Sequence, residues 1–187
     1  MRKVETGSRW KNAWSGRVLT VGSLSPAAAR GSVRLGGLML PCALGRGGCR
    51  VLKREGDGAT PIGKFQVCEV LYRSDRVRRP RTGLPVRPLQ RRDGWCDDPG
   101  DRNYNRLVRH PYPASAEAMW RQDDLYNVVL VLGYNRRPRV RGRGSAIFMH
   151  LARPGYASTA GCIALSARDM RIVLARLAPG AMVHVNA

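Results

Sequence analysis

Short apolar runs punctuated by Gly, Ser and Pro recur along this chain and predict many short strands. Residues 17–21 and 33–40 are β-branched or leucine-rich runs separated by Gly, Ser and Pro, a pattern that predicts hairpin-linked strands. Two glycines and Pro41 break the apolar stretch 35–44, which suits paired strands better than one long element. A charged, glycine-punctuated loop then starts at Lys53. Gly56, Gly58 and Gly63 admit positive φ there, Pro61 sets a turn, and a strand over 65–72 follows. Residues 126–134 read Tyr-Asn-Val-Val-Leu-Val-Leu-Gly-Tyr, nearly continuously apolar, as a strand buried on both faces requires. Residues 182–185 predict a last strand, in which His184 reads as a surface or satisfied histidine.

Helical periodicity is clear in one place. Ser166 is the predicted N-cap, Asp169 holds the capping-box position, and Met170, Val173, Leu174 and Leu177 make one apolar face before Pro179-Gly180 ends the element. Residues 113–121 predict a second, short helix with Ala118 and Met119 facing inward. Residues 73–112, crowded with Arg, Pro, Asp and Gly, read as a long inserted loop, ordered by its aromatics and charges and covering a site. Residues 1–16, polar and basic around Trp10 and Trp14, read as a loose arm, which leaves 17–187 as a single domain. No βαβ repeat is present. The expected fold is therefore mainly β, a β-sandwich or mixed barrel with one clear C-terminal helix and one or two further short helices.

Charge changes this picture more than composition does. The chain of 187 residues carries 33 Lys+Arg against 13 Asp+Glu, a formal net charge of +20, so polyanions should be attracted in a salt-sensitive way. Nucleic acid and carboxylate-rich polymers answer equally to that field. A nucleic-acid-binding module is thus one alternative reading. The five cysteines, Cys42, Cys49, Cys68, Cys96 and Cys162, are odd in number and lack C-x-x-C spacing, so neither a disulfide framework nor a zinc ribbon is indicated. Cys42 and Cys68 read as small buried residues. Asp97, Asp98 and Asp101 are expected to pair with neighbouring arginines rather than to bind a cation. A zinc site from Cys96, His110, His150 and Cys162 has poor spacing, and no metal or organic cofactor is expected. No stretch has transmembrane length, and the N-terminus shows no recognisable signal peptide.

The candidate chemistry sits between Ile147 and Leu165. An apolar run delivers His150, a Pro-Gly loop turns the chain, and Gly161 presents Cys162 to a second apolar run. A thiol needs a base to become a nucleophile at neutral pH, and two strand ends can place imidazole and thiol together. The sequence reading expects an ion pair between them, with the following helix N-terminus favouring the anion. Backbone amides from Gly161 through Cys162 to Ile163 are the candidate oxyanion site. The charged glycine loop lacks P-loop spacing and precedes a strand, so nucleotide binding is not expected there.

Ile147-Phe-Met-His150, Ser158-Thr-Ala-Gly-Cys162-Ile, the helix with Asp169, and Pro179-Gly-Ala-Met-Val-His-Val together resemble the catalytic end of the L,D-transpeptidases of the YkuD type. Gly56-Asp-Gly-Ala-Thr-Pro-Ile-Gly-Lys-Phe65 is similar to that family's Thr-Pro-x-Gly-x-Phe segment. The resemblance implies a β-rich fold and cysteine-dependent acyl transfer that remodels peptidoglycan outside the cytoplasm, at the periplasm or cell wall. By position it makes Cys162 the nucleophile, His150 its base, and Ser158 and Thr159 the hydroxyl positions before the Gly-Cys pair. Its donor and acceptor would be peptidoglycan stem peptides.

Family members often place His before Gly-Cys and Arg or Asn two residues after Cys; here Ala160 and Ala164 stand there. Substrate contacts must then come from elsewhere, with Arg153, Tyr156, Tyr104, Asn105 and the 136–143 loop, including Arg143, as candidates. The pattern His-x-Ala-Arg-Pro-Gly-Tyr with Gly-Cys-Ile-Ala-Leu is similar to the proteobacterial subgroup associated with L-Ala to diaminopimelate (1,3) cross-links. A 3,3-type transpeptidase or an L,D-carboxypeptidase or endopeptidase is the alternative that the resemblance leaves open.

Overall fold

Residues 18–186 are described by a computed structural model, so the N-terminal arm read over 1–16 lies outside the described residues. The first predicted hairpins form as β1 (Val18–Ser23), β2 (Arg30–Leu35) and β3 (Leu38–Ala43), an antiparallel meander. Alternation puts Leu19, Val21, Val33, Leu35, Leu40 and Cys42 on the buried face. The apolar run 33–40 is two strands rather than one, split at Gly36-Gly37. A short parallel pair, β4 (Cys49–Arg50) with β5 (Thr60–Pro61), then ties the ends of the charged glycine loop together.

Next come β6 (Gly63–Tyr72) and β7 (Val86–Pro88), followed by β8 (Asp93–Cys96), β9 (Leu107–Arg109) and β10 (Ala116–Ala118). The C-terminal part holds β11 (Val128–Leu132), β12 (Phe148–Leu151), β13 (Ile163–Leu165), helix α1 (Ala167–Leu174) and β14 (Met182–Asn186). The main sheet runs β11-β12-β13-β3-β2-β1-β14-β6-β7, and β11 also pairs with β6. That extra pairing closes the sheet into a barrel of mixed parallel and antiparallel strands, with β7 on the outside. The mainly β expectation therefore holds, in its barrel form.

Two apolar clusters explain the near-continuous run in β11. Val128, Leu130 and Leu132 face the barrel interior with Met149, Ile163 and Val183. Val129 and Val131 face the opposite way, under Trp95, Met119, Tyr126 and Phe148. A strand covered on both faces has no polar side to show, hence the pattern. The predicted helix forms as α1. Ser166 Oγ accepts from Asp169 N at 3.0 Å, and Met170, Val173 and Leu174 pack into the barrel cluster.

The second helix predicted over 113–121 does not form. Ala116, Glu117 and Ala118 pair instead with Cys96, Trp95 and Gly94, so the segment becomes the edge strand β10 of a three-stranded sheet, β10-β8-β9. Partner strands outside the segment outweigh its helical spacing. The 73–112 stretch contributes β7, β8 and β9 and is braced by ion pairs: buried Arg73 grips Asp75 at 2.8 Å, and Arg87 grips buried Asp93 at 2.9 Å. The acidic trio does not pair with arginine among the described residues. Asp101 accepts from the Tyr112 hydroxyl and from Asn103 N, and Asp98 accepts from Gly100 N. Cys42 is buried, and burial pushes its thiol up to about 12, whereas Cys68 is half-exposed, contrary to expectation.

Replacing Ser166 with Ala removes the only side-chain cap on α1. It should lower stability by about 1 kcal/mol in urea unfolding, with an unchanged denaturant slope.

Candidate active site

Parallel pairing of β12 with β13 sets the register of the site: Met149 opposes Ile163, His150 opposes Ala164, and Leu151 opposes Leu165. Side chains two residues apart share a face, so Cys162, one step before β13, emerges on the same side as His150. Strand spacing and rise put their Cα atoms roughly 8 Å apart, within side-chain reach. Ala164, directly across from His150, puts only a methyl group beside the imidazole. The neighbouring residues Met149, Leu151, Ile163 and Leu165 point into the barrel core and anchor both strands.

His150 Nδ1 lies 2.8 Å from the Leu151 carbonyl, so it carries the hydrogen and Nε2 keeps a free lone pair. The Tyr126 ring meets the imidazole edge-on at 5.4 Å, and the Tyr126 hydroxyl donates to Glu117 at 2.7 Å. Cys162 Sγ donates to the Ala146 carbonyl at 3.2 Å and accepts from Phe148 N at 3.4 Å. Burial pushes the thiol up to about 12, with Glu117 adding in the same direction. Burial likewise pushes His150 down to about 4, against the pull of the Leu151 carbonyl. The resting pair is therefore a neutral thiol and a neutral imidazole, not the expected ion pair. The helix field gives little help, because β13 separates Cys162 from α1 by about 10 Å.

The turn before Cys162 is pinned from several sides. Thr159 N donates to the Leu44 carbonyl and Arg46 N to the Thr159 carbonyl, both at 2.9 Å. The Thr159 hydroxyl accepts from Gly161 N at 3.1 Å and donates to the Cys162 carbonyl at 2.6 Å. Gly161 has φ +130, and a Cβ there would sit 2.7 Å from the Ala59 carbonyl oxygen. Lys53 runs beneath this turn with 2% exposure, its Nζ 2.6 Å from Asp57 Oδ1. Its stem occupies the space that a Cβ on Gly144 (φ +99) would need, 2.7 Å from Lys53 Cε. Burial raises the Asp57 pKa, but hydrogen bonds from Arg54 N, Lys53 and Ala59 N outweigh it and hold the carboxyl below its ordinary range. The Lys53–Asp57 ion pair thus closes the 53–58 loop on itself, and the Lys53 side chain fills the space beside Gly144 and Gly161.

A cleft of about 570 Å³ opens over these groups. It brings together His150, Cys162, Ser158, Thr159 and Arg153 from the residues singled out in the sequence, with Ala160 and Ala164 also on its wall. Gly161 is buried under the turn, and the Ile163 side chain faces the barrel core. Tyr156 lines a neighbouring depression with Arg153. Tyr104 and Asn105 line a different cleft, and the Arg143 side chain is exposed and lines neither. Of the four residues of the zinc alternative, His150 and Cys162 alone line this cleft, and no metal-binding cluster is found among the described residues.

Sequence reading missed the cleft's Glu55, Glu117, Arg121 and Tyr126, and Lys53 beneath it. Only Lys53 left a signal, as a lone lysine within a glycine-rich loop of an arginine-dominated chain.

The sequence model of the YkuD family, described as the L,D-transpeptidase catalytic domain, matches residues 29–185. No curated protein sequence matches the chain. Among solved structures, it is similar to the crystal structure of Mycobacterium tuberculosis L,D-transpeptidase 1, with 14% identity and a TM-score of 0.37 over 90% of this chain. The match spans 61% of that protein's chain.

The neutral pair has two measurable consequences. Iodoacetamide alkylation of Cys162 in the resting protein, followed by peptide mass spectrometry, should rise roughly tenfold per pH unit between about 7 and 10. A preformed thiolate would instead give a plateau below neutrality. For His150 the folded pKa lies below the unfolded value of about 6.5, so the unfolded chain takes up the proton first as pH falls. Its contribution, about 3 kcal/mol, is complete above pH 6.5 and disappears as pH falls toward about 4. Urea titrations should show this acid slope flattened in His150→Gln.

Proposed function

The chain belongs to the YkuD family of L,D-transpeptidase catalytic domains, and on that premise we propose that it cross-links peptidoglycan stem peptides through a thioester on Cys162. The observation that carries the proposal is the shared strand face of Cys162 and His150, with Nε2 of the imidazole as the available base. As a donor amide carbonyl enters the cleft, Sγ attacks it and His150 Nε2 takes the thiol proton. The carbon–nitrogen bond then breaks, and the same proton leaves with the departing amine. An acceptor amine next attacks the thioester. His150 takes the proton from that amine and returns it to the sulfur as the carbon–sulfur bond breaks.

A neutral pair of buried groups suits this sequence. Charge appears only when substrate is present to stabilise it, and the resting thiol is protected from stray electrophiles. Gly161 N is engaged by Thr159, so we assign the oxyanion to the Cys162 N–H. Arg46 and Arg153 on the cleft wall suit carboxylates of the donor peptide, while Arg121 beside them is held by Asp123 and Glu117. Cross-links of the 1,3 type, starting from L-Ala, fit the small residues Ala160 and Ala164 flanking the thiol. No described helix is long and apolar enough to cross a membrane. Action on peptidoglycan would be exerted at the periplasm or cell wall.

Purified sacculi incubated with the wild type should yield new cross-linked muropeptides by mass spectrometry, and Cys162→Ala should yield none. Fragmentation reads the donor residue directly, L-Ala for 1,3 bonds and diaminopimelate for 3,3 bonds. His150→Gln should slow the reaction by about 10²–10⁴-fold. Shortened stems without cross-links would assign the carboxypeptidase reaction instead, and identical products from wild type and Cys162→Ala would remove the proposal.

A further inference from the structure

A second cleft, of about 700 Å³, lies behind the wall of the first. Six arginines ring it: Arg102 and Arg106 from the loop between β8 and β9, and Arg136, Arg137, Arg139 and Arg141 from the loop between β11 and β12. Among the described residues none of the six forms an ion pair. Asp101 is the one acidic residue on the lining, and its carboxylate is taken by the Tyr112 hydroxyl and Asn103 N. Merely solvated arginines would diverge into water. Here the backbone converges them on one concavity.

The backbone that does so is braced. Asn135 donates to the Val140 and Gly144 carbonyls and accepts from Val140 N, which closes the arginine loop on itself. Arg139 donates to the Tyr104 carbonyl at 3.2 Å, and the Tyr134 hydroxyl donates to the Arg143 carbonyl. Burial and the nearby charges of Arg106 and Arg136 all lower the Arg139 pKa, as expected for cations held together without counter-charge. Such a cluster is preorganised for a ligand with several negative groups.

This basin shares its wall with the nucleophile. The Tyr104 hydroxyl donates to Glu55, which lines the Cys162 cleft, and accepts from Gly144 N. Asn105 Oδ1 accepts from Ala146 N, and the Ala146 carbonyl accepts from Cys162 Sγ. Acyl transfer between two peptides needs both held on one protein at once.

We infer that the arginine basin seats the carboxylates of a second stem peptide, the acceptor, while the donor occupies the Cys162 cleft. This rests on the transpeptidase reading. Guanidinium forks grip carboxylates in pairs of hydrogen bonds and leave an amine ungripped, so the clamp holds the acceptor by the groups that do not react. The volume matches a short peptide branch.

The test is calorimetric binding of a disaccharide-tetrapeptide muropeptide to the Cys162→Ala protein, with and without Arg106→Gln plus Arg137→Gln. Both arginines are exposed, so the fold should survive, checked by an unchanged melting temperature. The double variant should lose about tenfold in the salt-sensitive phase of binding. A muropeptide with amidated carboxylates should lose at least as much on the parent, and the Arg106→Gln plus Arg137→Gln change should then cost it nothing more. Unchanged affinity in the double variant overturns the inference. So does inorganic polyphosphate that displaces muropeptide from the parent and binds more tightly, which would assign the basin to a phosphate polymer. Failure to form Cys162-dependent cross-links on sacculi sinks the transpeptidase reading itself. Cross-linking together with unweakened muropeptide binding sinks the basin alone.

Discussion

Everything at the site depends on how β12 lies against β13. Their parallel register puts His150 across from Ala164 and leaves Cys162 one step outside the ladder on the same face. That register is enforced from behind, because Met149, Leu151, Ile163 and Leu165 all lie in the barrel core. A slip of one residue would turn these four apolar side chains outward and carry the imidazole into the core. The packing that stabilises the barrel is therefore the same packing that aims the two reactive groups. Closure of the sheet between β6 and β11 supplies the rigidity, since neither β11 nor β12 is left as an edge.

Burial then sets the chemistry. It raises the Cys162 thiol and lowers the His150 imidazole, so both groups rest neutral on the wall of one cleft, and in the proposed reaction charge separates only once a substrate is bound. The backbone amide of Phe148 and the buried Lys53 pull the other way and favour the thiolate. These lesser forces matter because they point at the sulfur from fixed positions. Lys53 is held by Asp57 and by the space that Gly144 and Gly161 leave for it. The same lysine thus links the shape of the Gly-Cys turn to its electrostatics.

Arginine content has a local meaning as well as a global one. Many arginines are structural: Arg73 lies over the Trp120 ring at 3.8 Å while gripping Asp75, and Arg121 bridges Asp123 and the edge of the cleft. Those have partners. The arginines around the second cleft have no carboxylate partner among the described residues: Arg139 donates to the Tyr104 carbonyl, Arg136 lies over the Trp95 ring at 5.6 Å, and none of the six is ion-paired. A net charge of +20 would attract anions anywhere, but only a braced concavity can select the spacing of the negative groups it receives.

The sequence by itself determined the features that local spacing encodes. It contained α1 with its Ser166 cap, the buried strand β11, the mainly β class, and the pair His150 and Cys162 with the small-residue turn between them. It misplaced what depends on partners far along the chain. Residues 113–121 carry helical spacing yet become β10, because β8 offers a ladder. Asp98 and Asp101 sit near arginines in sequence but turn to Tyr112 and to backbone amides. Tyr104 reaches Glu55 across 49 positions, and Lys53 reaches the Gly161 turn from more than a hundred residues away. Spacing along a strand or helix is fixed by backbone geometry and can be read in one dimension. Register, burial and the walls of a cleft arise from the competition among segments for the same core, and only the closed barrel decides that competition.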